Sequence, residues 1–213
     1  LLEKPEPIDG LMPNHSLFHA LIADPKWPRF TLAYQYFFKN RIAKQAFAPN
    51  FGASIPIYRN VIGATEWEFG IQGGLFAILD IGKNPSALVN ADYYISFPIS
   101  FRNGAWSFLA RAYHMSSHLG DEFMLTPQGK ATKRINLSVE GIDLLASYDF
   151  KSGIRLYGGG GSIVHKDPHY IKPLKAQLGA EYRSDNTWWN GKLRPITGLD
   201  LKSEQMANWT PGI

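Results

Sequence analysis

Hydrophobic and polar residues alternate along most of this chain. From Ala91 to Arg102 the odd positions are Ala91, Tyr93, Ile95, Phe97, Ile99 and Phe101, and the even ones are Asp92, Tyr94, Ser96, Pro98, Ser100 and Arg102. Successive side chains of a strand point to opposite faces, so a period of two predicts a strand with one apolar and one mostly polar face. The split recurs from Phe47 to Tyr58, from Leu174 to Arg183 and from Trp67 to Ile81. Segments of this kind are predicted near 30–38, 46–58, 66–81, 91–102, 106–117, 133–148, 153–164, 174–183 and 193–202. Several exceed the roughly 5–6 residues of a usual globular strand. They match the roughly 9–11 residues with which a tilted strand crosses a bilayer.

The connections fall into two classes. Arg102-Asn103-Gly104-Ala105 and Asp149-Phe150-Lys151-Ser152-Gly153 are short turn chemistry, whereas 82–90, 118–132, 165–173 and 203 onward are longer and more polar. Short and long connections mostly alternate, as periplasmic turns and surface loops do on a barrel. The join at 184–192 is the exception, long where a tight turn is expected. With 102–105 on the periplasmic side, the strand after it runs outward and the loop from His118 faces the exterior.

Alternation alone does not say which face meets water. In a soluble barrel or sandwich the apolar face is the core; in a membrane barrel it meets lipid and the polar face lines the lumen. Three features favour the membrane. The strands are long, and aromatics (Trp27, Trp67, Tyr93, Phe101, Trp106, Tyr182) gather near their ends as interfacial girdles do. Small residues, notably Gly70, Gly74 and Gly179, also sit on the polar face. Charges expected inside carry both signs: Glu68, Asp92, Arg102, Arg111, Arg134, Arg155, Glu181, Arg183 and Asp200. Mixed signs predict paired filling of a narrow lumen, because a buried unpaired charge is costly.

Composition narrows the picture further. Charged residues make up 19% of the 213, aromatics 14%, and there are 20 Gly and 14 Pro. A coiled coil or helical bundle is excluded by that balance. The net charge of +4 is spread along the chain and gives no case for nucleic acid. With no Cys there is no disulfide framework, thiol nucleophile or Cys-ligated zinc. No apolar run approaches the roughly 18 residues of a membrane helix. The expected fold is therefore all-β, an antiparallel transmembrane β-barrel of about 12 strands when complete, since bacterial single-chain barrels use an even number. Residues 1–28 are expected to form a periplasmic or lumen-entering segment and 29–213 the barrel. Trp209-Thr210-Pro211-Gly212-Ile213 reads as a loop, so closure needs further strands.

Several segments in order carry a resemblance: Leu21-Ile22-Ala23-Asp24-Pro25, Phe51 to Arg59, Ala91-Asp92-Tyr93, the run Tyr113-His114-Met115-Ser116-Ser117-His118-Leu119-Gly120-Asp121-Glu122, and Arg155 to Gly160. Together they resemble a domain-of-unknown-function family of bacterial envelope proteins thought to be outer-membrane barrels. The likeness covers roughly residues 17–202, and its most specific element is the His-x-Ser-Ser-His-x-Gly-Asp-Glu run. It implies further strands beyond this chain and an outer-membrane location, and in that location the expected partners are outer-membrane lipids and lipopolysaccharide. It implies no activity.

That run is also where reactive side chains gather. His114 and Ser116 stand two apart on a strand and therefore share a face, the apolar one that carries Ala112, Ala110, Phe108 and Trp106. The pair looks like outer-membrane phospholipase A, in which an exterior His-x-Ser pair attacks lipid esters with calcium. That resemblance implies Ser116 as nucleophile, His114 as its base, and Asp121 or Glu122 on a calcium ion. The other reading is a strand-to-loop corner, from Tyr113 through Ser117, His118 and Gly120, whose side chains satisfy backbone groups. A zinc site on His114 and His118 is disfavoured, since that spacing suits a helix. Gly158 to Gly161 lacks the Lys-Ser/Thr of a phosphate loop and reads as close packing. His165 to His169 read as a solvated loop in which Lys166 could meet lipopolysaccharide phosphates. The leading expectation is a structural or scaffold barrel without a cofactor; a lipid hydrolase and a small porin are the alternatives.

Overall fold

The computed structural model describes residues 10–36, 44–82, 86–131, 137–204 and 208–212. It is all-β, a single antiparallel sheet curled like a barrel wall. The strands are β1 (Gly10–Leu11), β2 (Thr31–Tyr36), β3 (Gln45–Ile62), β4 (Thr65–Asp80), β5 (Ala87–Asn103), β6 (Trp106–Leu119), β7 (Leu137–Asp149), β8 (Ile154–Asp167), β9 (Leu174–Arg183), β10 (Ile196–Glu204) and β11 (Asn208–Gly212). Two short helices, α1 (Asp121–Leu125) and α2 (Pro127–Lys130), lie between β6 and β7. From β3 to β11 each strand pairs with its sequence neighbour, while β1 and β2 share the other edge of β3. Among the described residues no ladder joins β11 to β1 or β2.

The nine predicted segments correspond to β2 through β10, with Arg134 and its neighbours at 132–136 outside the described residues. Tight turns fall at Gly63-Ala64 and Gly104-Ala105, where φ of +62° and +58° puts glycine at a position other residues rarely adopt. The long 184–195 connection is a small hairpin of its own, bridged between Trp188 and Leu193. Two expectations are corrected. Asn208–Gly212 is a strand paired with β10, not a loop. His165, Lys166 and Asp167 belong to β8 and not to a loop, and Lys166 turns its ammonium to the Ile171 carbonyl.

Polarity across the sheet is inverted relative to a water-soluble fold. On β5 the convex face exposes Tyr93, Ile95, Phe97, Ile99 and Phe101, with Phe97 50% accessible. The concave face of the same strand buries Asp92, Ser96 and Ser100, with Ser96 fully inaccessible. Neighbouring strands repeat this, with Phe108, Ile142, Leu144 and Leu156 outside and Arg111, Asp143, Ser147 and Arg155 inside.

The concave face is filled by the segment that precedes β2. Phe18, Leu21 and Trp27 of this inner segment pack with Leu109, Leu145 and Tyr157 of the wall. Trp27, expected in an interfacial girdle, is 1% exposed and stacks on Phe18 at 5.9 Å between ring centroids. The local alternation that predicts a girdle residue is blind to this, because the segment is not a strand and its apolar side chains meet wall residues far away in sequence. Two wall glycines admit the segment. A Cβ at Gly52 would lie 3.0 Å from Pro28 Cα, and one at Gly198 3.3 Å from the Ala23 Cβ.

Candidate functional site

The run from Tyr113 to Glu122 divides between the two faces of the sheet. Tyr113, Met115 and Ser117 point to the concave side, where Tyr113 stacks on Tyr94 at 5.9 Å and the Ser117 hydroxyl donates to Asn90 Oδ1 at 3.0 Å. His114, Ser116 and His118 stand on the convex side, and His118 packs edge-on against Tyr93. Gly120 ends the strand against β5, where a Cβ would collide with Leu88 O; its N–H donates to Val89 O at 3.1 Å. Asp121 and Glu122 then form the acidic first turn of α1, exposed, while Phe123 is buried beside Val89.

His114 and Ser116 share the outward face, and no hydrogen bond joins them among the described residues. What the alternation leaves unnoticed is Glu140. It stands opposite His114 in the β6–β7 register, with its Oε1 3.5 Å from His114 Nδ1. His165, opposite Glu140 on β8, lies 4.0 Å from the other carboxylate oxygen. A signal for Glu140 exists in the sequence: it is the charge on a face otherwise set by Ile142, Leu144 and Ala146. Pairing that charge with His114 requires the register, which alternation does not supply.

Chemically, the arrangement places a hydroxyl, an imidazole and a carboxylate in one exposed neighbourhood. With Nδ1 facing the carboxylate, Nε2 is the nitrogen left for a hydroxyl or substrate. His114 and His118 are four residues apart on one strand, roughly 13 Å, too far to share a metal ion. Among the described residues no three His, Asp or Glu side chains gather to hold one.

Several charges on the concave face are paired. Arg59 meets Glu68, Lys26 meets Asp92 at 3.2 Å, and Arg102 meets Asp149 at 3.1 Å. Arg111 and Lys175 share Asp143 at 3.0 and 2.7 Å, and Arg155 lies 3.5 Å from Glu181. Asp200 accepts from the Tyr157 hydroxyl and the Gln177 amide, both at 2.7 Å. Many of these groups also grip the inner segment. Glu68 accepts the Leu17 N–H at 3.3 Å, Glu181 the Ile22 N–H at 2.5 Å, and Arg155 donates to the His19 carbonyl at 3.0 Å.

Two titrating groups in that segment are displaced by their surroundings. Burial, with Arg155 and Arg102 beside it, lowers the His19 imidazole to about 3, so it stays neutral. Its Nε2 lies 3.1 Å from the Arg102 guanidinium, which donates to it. For Asp24 burial opposes the charge, but the Lys202 ammonium at 2.8 Å and the Lys26 N–H at 3.0 Å outweigh it and hold the carboxyl at about 2.

A model of the family described as "Protein of unknown function (DUF1207)" matches residues 7–213. No curated protein and no solved structure matches the chain.

Proposed function

The chain belongs to this family of proteins of unknown function, a membership that brings no activity with it, and from that premise and the inverted polarity of the sheet we propose a bacterial outer-membrane β-barrel with a scaffold role and a narrow, filled lumen. The observation that carries this reading is the convex face. From Tyr93 to Phe101 five large side chains in a row are exposed, on a band about 27 Å long at roughly 3.4 Å per residue. A water-soluble monomer rarely exposes more than a few hundred Å² of contiguous apolar surface. Lipid covers such a band at no cost, and the buried ion pairs inside take the place of a core. The inner segment argues for a scaffold over a small porin, because it occupies the space through which solute would pass. Its contact surface is outer-membrane lipid and lipopolysaccharide. The test is fractionation: the protein remains in the outer-membrane pellet after high-salt and carbonate washes, and its release into either wash overturns the reading.

A second reading is a lipid ester hydrolase with Ser116 as nucleophile and His114 as base. The observation that favours it is Glu140, whose carboxylate faces His114 Nδ1 as the orienting acid of a triad does. Its calcium would be held through Asp121 or Glu122. Fatty acid release from phospholipid and lipopolysaccharide micelles, with and without calcium, tests it. Ser116→Ala abolishes release, His114→Ala costs about 10²–10⁴-fold, and Glu140→Gln lowers it less. No release under any condition overturns it and leaves His114, Glu140 and His165 as the polar rim of the apolar band.

A further inference from the structure

The edge of β3 that faces away from β4 is covered in two pieces. Gly10 and Leu11 of β1 pair with Arg59 and Tyr58, and Thr31 to Tyr36 of β2 pair with Asn50 to Gln45. β1 and β2 are thus two parts of one edge strand, interrupted where the inner segment dips into the concave face. The last bond on the β1 side runs from the Met12 N–H to Ile57 O at 2.9 Å. Between that bond and the Thr31–Asn50 pair, residues 51–56 of β3 have no strand beside them among the described residues.

The phase of the ladder tells which backbone groups are left there. The Ile81 N–H donates to Gln45 O at 3.1 Å, and the same register runs on to the Ile55–Ile71 pair. Alternate residues of an antiparallel strand bond to opposite neighbours. Odd positions from Gln45 to Ile55 therefore bond toward β4 and even ones toward the other edge, where Ala46, Ala48 and Asn50 meet β2. Gly52 and Ser54 turn an N–H and a C=O each into the gap, and no backbone bond joins them to the inner segment among the described residues. Pro28 and Arg29 have left the ladder beside them, and a Cβ on Gly52 would lie 3.0 Å from Pro28 Cα. Between the two arms of the inner segment and this edge lies a groove of about 410 Å³, with Phe18 and Trp27 among its lining. That volume falls within the roughly 300–1,000 Å³ of ligand sites. An acyl chain could fill the groove but would leave the edge groups unbonded, which is costly out of water. A second extended backbone offers donors and acceptors at the matching spacing. Because β1 and β2 close the gap at both ends, its occupant is short.

We propose that this gap binds a short extended peptide segment of another protein, hydrogen-bonded to Gly52 and Ser54 as a strand fragment between β1 and β2, with an apolar side chain in the groove. The gap is a property of the ladder and does not depend on what covers the convex face. Binding is thus read separately from location. Fluorescence anisotropy of a fluorescein-labelled Ser-Val-Thr-Val peptide with the full-length protein in amphipol, with empty amphipol subtracted, tests it. The peptide binds saturably at one site, and the same peptide methylated at every amide nitrogen binds at least tenfold more weakly. At saturation, amide exchange slows at Gly52 and Ser54. Ser54→Pro, which removes an N–H from the gap and spares the bonds to β4, weakens binding at least tenfold. Ser16→Trp, which fills the groove and leaves β3 unaltered, abolishes it. Folding of both variants is checked by heat-modifiable gel migration. If one fails to fold, the other and the comparison of the two peptides on the unaltered protein still decide. Equal binding of the methylated peptide, which an apolar groove alone would give, overturns the proposal. So does a signal no greater than empty amphipol, unchanged exchange at Gly52 and Ser54, or indifference to a folded variant.

Discussion

Asp24 ties the inner segment to the wall. Its carboxylate takes bonds from Lys202 on β10, from Gln177 on β9 and from the Lys26 N–H of its own turn. Asp24→Asn keeps the shape but removes the carboxylate charge that faces the Lys202 ammonium, which is 17% exposed. The expected cost is about 3 kcal/mol, read as a lowered unfolding temperature that Lys202→Met in the same chain partly restores. The pH dependence has a definite sign. His19 is neutral when folded, with a pKa of about 3 against an ordinary 6.5, so its contribution is complete above 6.5. It is lost as pH falls toward 3, because the unfolded chain takes up the proton first. Asp24 adds a second loss between 3.8 and about 2. Unfolding temperature should therefore fall below pH 6.5, and His19→Gln should flatten the upper part of that slope. A slope unchanged in His19→Gln would remove His19 as its source. Nothing in the sequence around Asp24 points to Lys202, which is 178 residues away.

At the scale of elements, alternation reports environment and not hydrogen bonding. It located β2 through β10 because each carries lipid-like surface on one face and polar surface on the other. It lost the C-terminal ends of β6 and β8, where His118 and Lys166 continue the ladder after the apolar row stops. It also missed β11, whose short run with Pro211 has the composition of a turn. The convex faces supply the sharpest element-level test. Phe97 is 50% exposed, so in water Phe97→Arg would change stability by no more than about 0.5 kcal/mol. At the middle of a bilayer the same change costs about 2–4 kcal/mol. Yield of assembled protein in the membrane fraction should drop for Phe97→Arg and hold for Phe97→Leu; equal yields would oppose a lipid-facing β5. On the other face, Gly198→Val pushes on Ala23 and should cost about 1–3 kcal/mol of thermal stability.

The whole molecule is a curled wall around its own leading segment, and that arrangement governs how it should behave electrically. With Phe18, Leu21 and Trp27 packed on Leu109, Leu145 and Tyr157, planar bilayers containing the protein should show no large, stable single-channel steps. Such steps would favour a porin. The sequence by itself determined the class of fold and, within β2 to β10, the face on which alternating side chains stand, because a period of two is a local property of the backbone. It also placed His114 and Ser116 together outside, since two residues on one strand need no partner to share a face. Only the tertiary structure decided what lies across the strands: Glu140 against His114, Trp27 inside and not in a girdle, and Lys175 with Arg111 on one carboxylate. Those meetings depend on register and curvature, which arise from the whole ladder at once and leave no trace in any single stretch of chain.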